Sequence, residues 1–520
     1  MVYSNTLQIR GGKMSIATKT NMLDWLNQQE VKTYGNYMNG EYRNSSSGET
    51  FAIYHAAKND QLVGRFQDSN ENDVNDAVEA AHQAFATWSK TPAPDRAAVL
   101  LRFADLLEEH VDELAFMLSA EQGKVLGESK GEVLRAAKEA RFSAGEALRT
   151  EGATLPGERA NVFNSTVRRP VGVIAAIAPW NFPVVTPVRK IAPALAYGCT
   201  VVYKPASATP WTSTKLMELL SEAGLPNGVV NMVTGGGSRV GDPLVKHPLV
   251  RGISFTGSSD LGLQINEIAS KRLVKTQLEL GGKNPAVVLS YHHASEVAKQ
   301  IVSAAFACSG QRCTSISRVI VLKDKKEELT DAIVEELRNI KVGPAWESEA
   351  TMGPLVNESH LSSVQKYIEI GKQEGANLRF GGEVLKDDHF AEGSYMTPAI
   401  FDEVTPDMRI AKEEIFGPVL TIITVDTKEE ALRVANNVEY GLAASIFTND
   451  VSEAHLFADG IDSGMVHINH GTASAAHMPF GGIKHSGFGA FSIGSTNAEF
   501  YTEMKVVYFQ WDVGTGSLSR

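Results

Sequence analysis

The sequence predicts an α/β protein in which a doubly wound parallel sheet forms one domain and a second α/β region forms another. Three observations carry this. First, between residues 171 and 280 short apolar runs alternate with helical patterns. The runs are "VGVIAAIAP" from Val171, "TVVYKP" from Thr200, "GVVNMVTG" from Gly228, "GISFTG" from Gly252 and "VKTQLEL" from Val274, and "TSTKLMELLSEAG" is one of the helices between them. Strands buried on both faces read as continuous apolar runs, and their alternation with helices of about 10–15 residues marks parallel βαβ units. Second, the rhythm restarts near residue 291, with "SEVAKQIVSAAFA" as helix, "RVIVL" as strand and "KKEELTDAIVEELRNI" as helix. Third, 520 residues exceed what a single hydrophobic core organises.

Ahead of the sheet, residues 72–88 place Val74, Ala77, Val78, Ala81, Phe85 and Trp88 at helical spacing. A second stripe, Leu100, Leu101, Ala104, Leu107 and Leu114, follows "TPAP". The region before residue 150 therefore reads as largely helical. The first twenty residues hold basic side chains without an apolar h-region, and no run of about 18 apolar residues follows, so neither a secretion signal nor a membrane span is expected. Met14 is an alternative start, which would make residues 1–13 a dispensable tail. A net charge of −12 with no Lys/Arg-rich run argues against a nucleic-acid surface and for a small-molecule partner. Three cysteines in so long a chain are no disulfide scaffold and point to a reducing, cytoplasmic setting. With no CxxC or HxxxH cluster, no metal site is expected.

Those cysteines are not alike. Cys199 opens an apolar run and reads as core, and Cys308 reads the same way. Cys313, in "GQRCT", stands among Gly310, Gln311, Arg312 and Thr314, which are poor core material. It is either a packed thiol or a nucleophile whose thiolate Arg312 favours. Other candidates lie at strand ends, where a doubly wound sheet holds its ligand. Gly257 and Ser258 join a strand to a helix, suiting a phosphate or a plain N-cap. Lys204 leaves its strand before Pro205, to meet a ligand or to snorkel. Glu279 closes an apolar strand as a satisfied carboxylate or as a partly buried base. Asn181, in "APWNFP", is either an oxyanion donor or a turn former.

Taken in order, "APWNFP", "YKPAS", "SFTGSS", "LELGGKNP", "GQRCT", "EEIFGP" and "PFGGIKHSG" resemble the successive motifs of the NAD(P)-dependent aldehyde dehydrogenase superfamily, over about residues 35–510. The resemblance implies that Cys313 is the nucleophile, Asn181 the oxyanion donor and Glu279 the base that hydrolyses the thioester, with Cys308 a neighbour without a catalytic role. It assigns the cofactor to Trp180, Lys204, Ser207, Gly257, Ser258, Leu280, Glu414 and Phe416. Many NAD-specific relatives carry glutamate where this chain has Ser207, so NADP is expected to be accepted alongside NAD and even preferred.

Arg189 matches an arginine that binds the substrate carboxylate in succinate semialdehyde dehydrogenases, but their second arginine falls on Ala307 here. Arg189 and "GQRCT" resemble more closely the α-ketoglutaric semialdehyde branch. A carboxylate-bearing semialdehyde is thus the expected substrate, with Arg189, Arg312 and His470 as contacts and His477 as a further polar group. A vanillin-like aromatic aldehyde is the alternative, followed by a coenzyme A-acylating dehydrogenase, a non-redox cysteine esterase and a non-enzymatic binding role. The resemblance also implies a cofactor domain of residues 1–151 and 171–281 and a catalytic domain of 282–485. A small β oligomerisation extension, 152–170 with 486–520, would exchange strands in a homodimer or homotetramer.

Overall fold

The computed structural model describes residues 21–511, the side chain of His389 apart. The readings of Met14 and of residues 1–13, and the end of the extension beyond 511, lie outside these residues. Of the described residues, 21–30 belong to a unit separate from the rest. In it the helix Met22–Asn27 starts where Asn21 accepts the Leu23 N–H.

In the main unit, five parallel strands occupy the centre of an eight-stranded sheet: Val173–Ile177, Thr200–Lys204, Val230–Met232, Val250–Thr256 and Lys275–Glu279. In space they run fifth, fourth, first, second, third. The order reverses between Val173–Ile177 and Val250–Thr256, which makes the carboxyl ends of these two strands the switch point of a doubly wound sheet. Register aligns Lys204 with Ile177 and Glu279 with Thr256, so the strand ends singled out from sequence finish along one rim. Antiparallel strands close both edges, Asn36–Met38 with Glu41–Arg43 on one side and Gly487–Phe488 on the other. A core of Leu100, Phe103, Leu107, Val133 and Ala140 packs against Ile191 and Leu195 under the sheet. Truncating one of its large members costs about 2–5 kcal/mol.

The second region is a seven-stranded sheet, in the order Asn377–Phe380, Ala399–Asp402, Val419–Val425, Ile316–Leu322, Asn284–Val288, Ala443–Phe447, Met465–Ile468. All its pairings are parallel except the first. A three-stranded antiparallel sheet completes the unit, in which Thr502–Gln510 pairs residue for residue with Val162–Pro170, and Thr154–Pro156 lies on the far side. The terminal apolar run thus finds its partner within its own chain, and its outer edge is what it can offer to a second copy. The largely helical reading of residues before 150 needs correction. Helices fill Glu71–Ala147, but Thr50–His55 and Lys58–Gln67 form a hairpin. "TFAIYH" has the β-branched and aromatic content of a strand, and its short alternation escapes a helix-period reading.

Candidate active site

The strand ends at the switch point open onto a cleft of about 390 Å³ that runs between the two sheets. Cys313 lies on it, half-buried, at the end of a forced chain path. The helix Ala294–Phe306 stops and three successive residues, Cys308, Ser309 and Gly310, take left-handed backbone, with φ of 54°, 59° and 71°. Such strain persists only where neighbours over-determine it. Here Glu128 accepts the Cys308 N–H at 2.8 Å, Ser309 donates to the Gly353 carbonyl, and Gln311 bonds both the Cys308 carbonyl and the Val356 N–H. Cys308 is therefore a buried member of the turn that aims Cys313. On the other side Asn284 donates to the Cys313 carbonyl at 2.7 Å. A Cβ on Gly282 would fall 2.6 Å from that same oxygen, so glycine there permits the close approach.

Asn181 lies just before the helix Val185–Ala196, whose first N–H groups, of Val184 and Val185, are taken by the buried carboxylate of Glu132 at 2.8 and 3.0 Å. Asn181 Nδ2 donates one hydrogen to the Gln311 carbonyl at 2.9 Å, and an amide nitrogen carries two. Glu279, at the end of its strand, accepts from Thr256 Oγ1 at 3.0 Å through Oε2, while Oε1 is buried without a partner. Burial first, then the carboxylates of Glu279 and Glu414, push the Cys313 thiol up to about 12 against the pull of Arg189 and Arg312.

Arg189 lines the cleft but is already engaged. Its Nε and Nη2 bond Glu139 at 3.1 and 2.9 Å, its Nη1 lies 3.9 Å from Glu279, and its plane covers Phe480. Burial opposes its charge, yet Glu139 and Glu279 hold it above the ordinary arginine range.

Trp180, Gly257, Ser258, Leu280, Glu414 and Phe416 also line the cleft. Ser258 sits at the start of the helix Ser259–Ser270 without capping it by its side chain, so its hydroxyl is uncommitted at a helix N-terminus. Glu414 accepts the Gly282 N–H at 2.9 Å, and burial pushes its carboxyl up to about 7. Phe416 is held at a φ of 58° and packs edge-on against Trp180, with His360 bonding its carbonyl. An uncommitted hydroxyl at a helix start, an aromatic pair and a buried carboxyl along a switch point fit a dinucleotide.

The structure does not bring every expected residue into the cleft. Lys204 is buried rather than snorkelling, donates to the Pro205 carbonyl, and is lowered to about 8 by burial. Ser207 donates to the Gly235 carbonyl at 3.0 Å, on the same rim but outside the cleft wall. His470 bonds the Gly471 carbonyl and packs on His467. His477 is exposed, and neither histidine lines the cleft. Sequence reading missed Arg135, His360, Ser474 and Phe480, which do. None lies in a stretch with a chemical signature of its own except Phe480, in "PFGG".

A thiol, an amide with an N–H to spare and a carboxylate with an unpartnered oxygen thus share one cleft at the switch point of a doubly wound sheet. Residues 42–507 match the Aldehyde dehydrogenase family, and the chain belongs to it. It is 42% identical over 480 residues to the alpha-ketoglutaric semialdehyde dehydrogenase of Bacillus subtilis, covering 92% of this chain and 98% of that one. Among solved structures it is similar to HpcC of Thermus thermophilus, at 40% identity and a TM-score of 0.90, with 94% of this chain and 95% of that one covered. It is also similar to a Staphylococcus aureus betaine aldehyde dehydrogenase in complex with NAD+, at 31% identity and a TM-score of 0.90, with 96% and 99% covered.

Proposed function

We propose that this aldehyde dehydrogenase oxidises a carboxylate-bearing semialdehyde to the corresponding diacid through a thioester on Cys313. The observation that carries the mechanism is the buried, unpartnered Oε1 of Glu279 on the same cleft as Cys313 and Asn181. Cys313, once its S–H proton has been lost to water, adds as the thiolate to the aldehyde carbon, and Asn181 holds the resulting oxyanion with its remaining N–H. A bound nicotinamide supplies the hydride acceptor. Once the thioester has formed, Glu279 takes a proton from water, which attacks the thioester carbon and frees the acid and the thiol.

Trp180, Ser258, Leu280, Glu414 and Phe416 would hold the cofactor along the cleft, with Gly257 allowing its approach and Lys204 and Ser207 further out on the rim. A serine rather than a carboxylate at 207 supports use of NADP as well as NAD. Of the expected substrate contacts Arg189 and Arg312 line the cleft and border the substrate, whereas His470 lies outside it. The likeness to a dehydrogenase of alpha-ketoglutaric semialdehyde supports the acid-bearing substrate over an aromatic one. Glu279 argues against coenzyme A as acyl acceptor. The unpaired cysteines fit the reducing cytoplasm. Among the described residues no helix is long and apolar enough to cross a membrane.

Aldehyde-dependent formation of NADPH and NADH tests this, with a semialdehyde acid, vanillin and an activated ester compared, with and without coenzyme A. A higher kcat/KM for vanillin, a coenzyme A thioester as product, or ester turnover without any nicotinamide reduction would each refute it.

A further inference from the structure

Three guanidinium groups line the cleft, and they differ in how much of their charge is free. Arg189 is spent: Glu139 holds it by two bonds, and a carboxylate brought to its third nitrogen would meet Glu279 there. Arg312 has no carboxylate partner among the described residues and its Nε is buried without a hydrogen-bond partner, but it directly precedes Cys313, so it stands at the thiol end of the cleft, where its charge acts on Glu128 and both nearby cysteines. Arg135 stands apart. It comes from the helix Leu126–Ala147 and its side chain is 22% exposed where Arg189 is 8%. Its Nε bonds Glu139 at 2.8 Å from one turn away, Nη1 donates to the Ser474 carbonyl, and Nη2 reaches Ser474 Oγ at 3.4 Å. Ser474 lines the cleft as well. These bonds use three of the five N–H donors an arginine carries. Glu139 is shared between two guanidiniums, and the second of them, Arg189, also has Glu279 at 3.9 Å, so Arg135 has only half of one carboxylate to itself.

We propose that Arg135 is the specificity residue that binds the distal carboxylate of the substrate, and that Glu139 positions it alongside Arg189. The assignment rests on the semialdehyde reading and deepens it. Arg135 is linked to Arg189 through Glu139, and it is Arg189 that faces Glu279 at 3.9 Å, so an acid bound at Arg135 has that ion pair between it and the proposed base. A planar fork with two spare donors matches a carboxylate.

The test compares kcat/KM for 5-oxopentanoate with that for pentanal, which has the same length without the acid, in the wild type and in Arg135→Gln, Arg135→Lys and Arg312→Gln. The ratio of the two should fall about tenfold to hundredfold in Arg135→Gln, the size of one lost charge-assisted interaction, chiefly through KM for the acid. Arg135→Lys should recover part of it. Gln retains a donor for Glu139, and thermal melting checks the fold; should the Gln variant not fold, the Lys variant carries the test through its partial loss. Equal losses on both substrates, an unchanged ratio, or a ratio lost only in Arg312→Gln would overturn the assignment. A wild-type ratio near one would sink the semialdehyde reading and the assignment with it, and would be seen before any variant is made.

Discussion

Glu279→Gln separates the two halves of the reaction, and the structure sets two effects against each other in the first half. The substitution is close in shape: the amide oxygen can still accept from Thr256, and the charge removed is buried with its nearest cation 3.9 Å away. The fold should therefore survive. Loss of a general base costs about 10²–10⁴-fold in the step it serves. Yet Glu279, after burial itself, also raises the pKa of the Cys313 thiol and so disfavours its thiolate at neutral pH. Removing the carboxylate lowers that pKa and favours the thiolate, so adduct formation and hydride transfer persist while hydrolysis stalls. Rapid mixing with aldehyde and cofactor should give one reduced nicotinamide per Cys313, then a steady state at least about 10²-fold below wild type. Alkylation of Cys313 by iodoacetamide at neutral pH should be faster in the variant, and Cys313→Ala should give no burst. A wild-type steady-state rate, or no burst from the Gln variant, would show that Glu279 is not the deacylating base.

Gly310→Ala should cost about 2–4 kcal/mol, because a Cβ there would lie 2.2 Å from the Gly417 carbonyl at a φ of 71°. Urea unfolding measures it, and an unchanged midpoint with unchanged kcat would show that the turn before Cys313 is not held as described. Ser207→Glu should raise KM for NADP at least about tenfold and spare NAD, since a carboxylate repels the 2′-phosphate; equal effects on both would remove Ser207 from the ribose end. Sedimentation at micromolar concentration should find a dimer or tetramer, given exposed Met504, Val506, Tyr508 and Phe509 on an open sheet edge. A monomer would refute that.

Sequence patterning located the parallel sheet because strands buried on both faces leave continuous apolar runs. It could not place Lys204, since a lysine at a strand end reads the same whether it snorkels or bonds its own chain. Cys313 and Asn181 were readable as chemistry only through the order of motifs around them. Each residue alone was as compatible with packing or a turn, because the groups set around it come from elsewhere in the chain: Gln311 and Glu132 at the Asn181 end and Glu279 at Cys313. His360 and Ser474 left no local trace. Their contact with the cleft comes from tertiary placement of a helix and a loop far along the chain.

The helix Leu126–Ala147 shows why such support is hidden. Glu128, Glu132, Arg135 and Glu139 recur at steps of four, three and four residues, a charged stripe that by periodicity is a solvated face. In the fold this stripe is turned inward. Glu128 holds the left-handed turn before Cys313, Glu132 caps the helix that follows Asn181, and Glu139 fixes Arg189 beside Glu279. Arg135, on the same stripe, reaches the cleft itself. Burying carboxylates costs free energy unless they are paired, and each of these is bonded to backbone N–H groups or guanidinium. One polar helix face thus sets Cys313, Asn181 and the arginines relative to one another. A hydrophobic stripe could pack as tightly but could not fix the direction of an amide or a guanidinium, so the site's geometry requires that this face be charged.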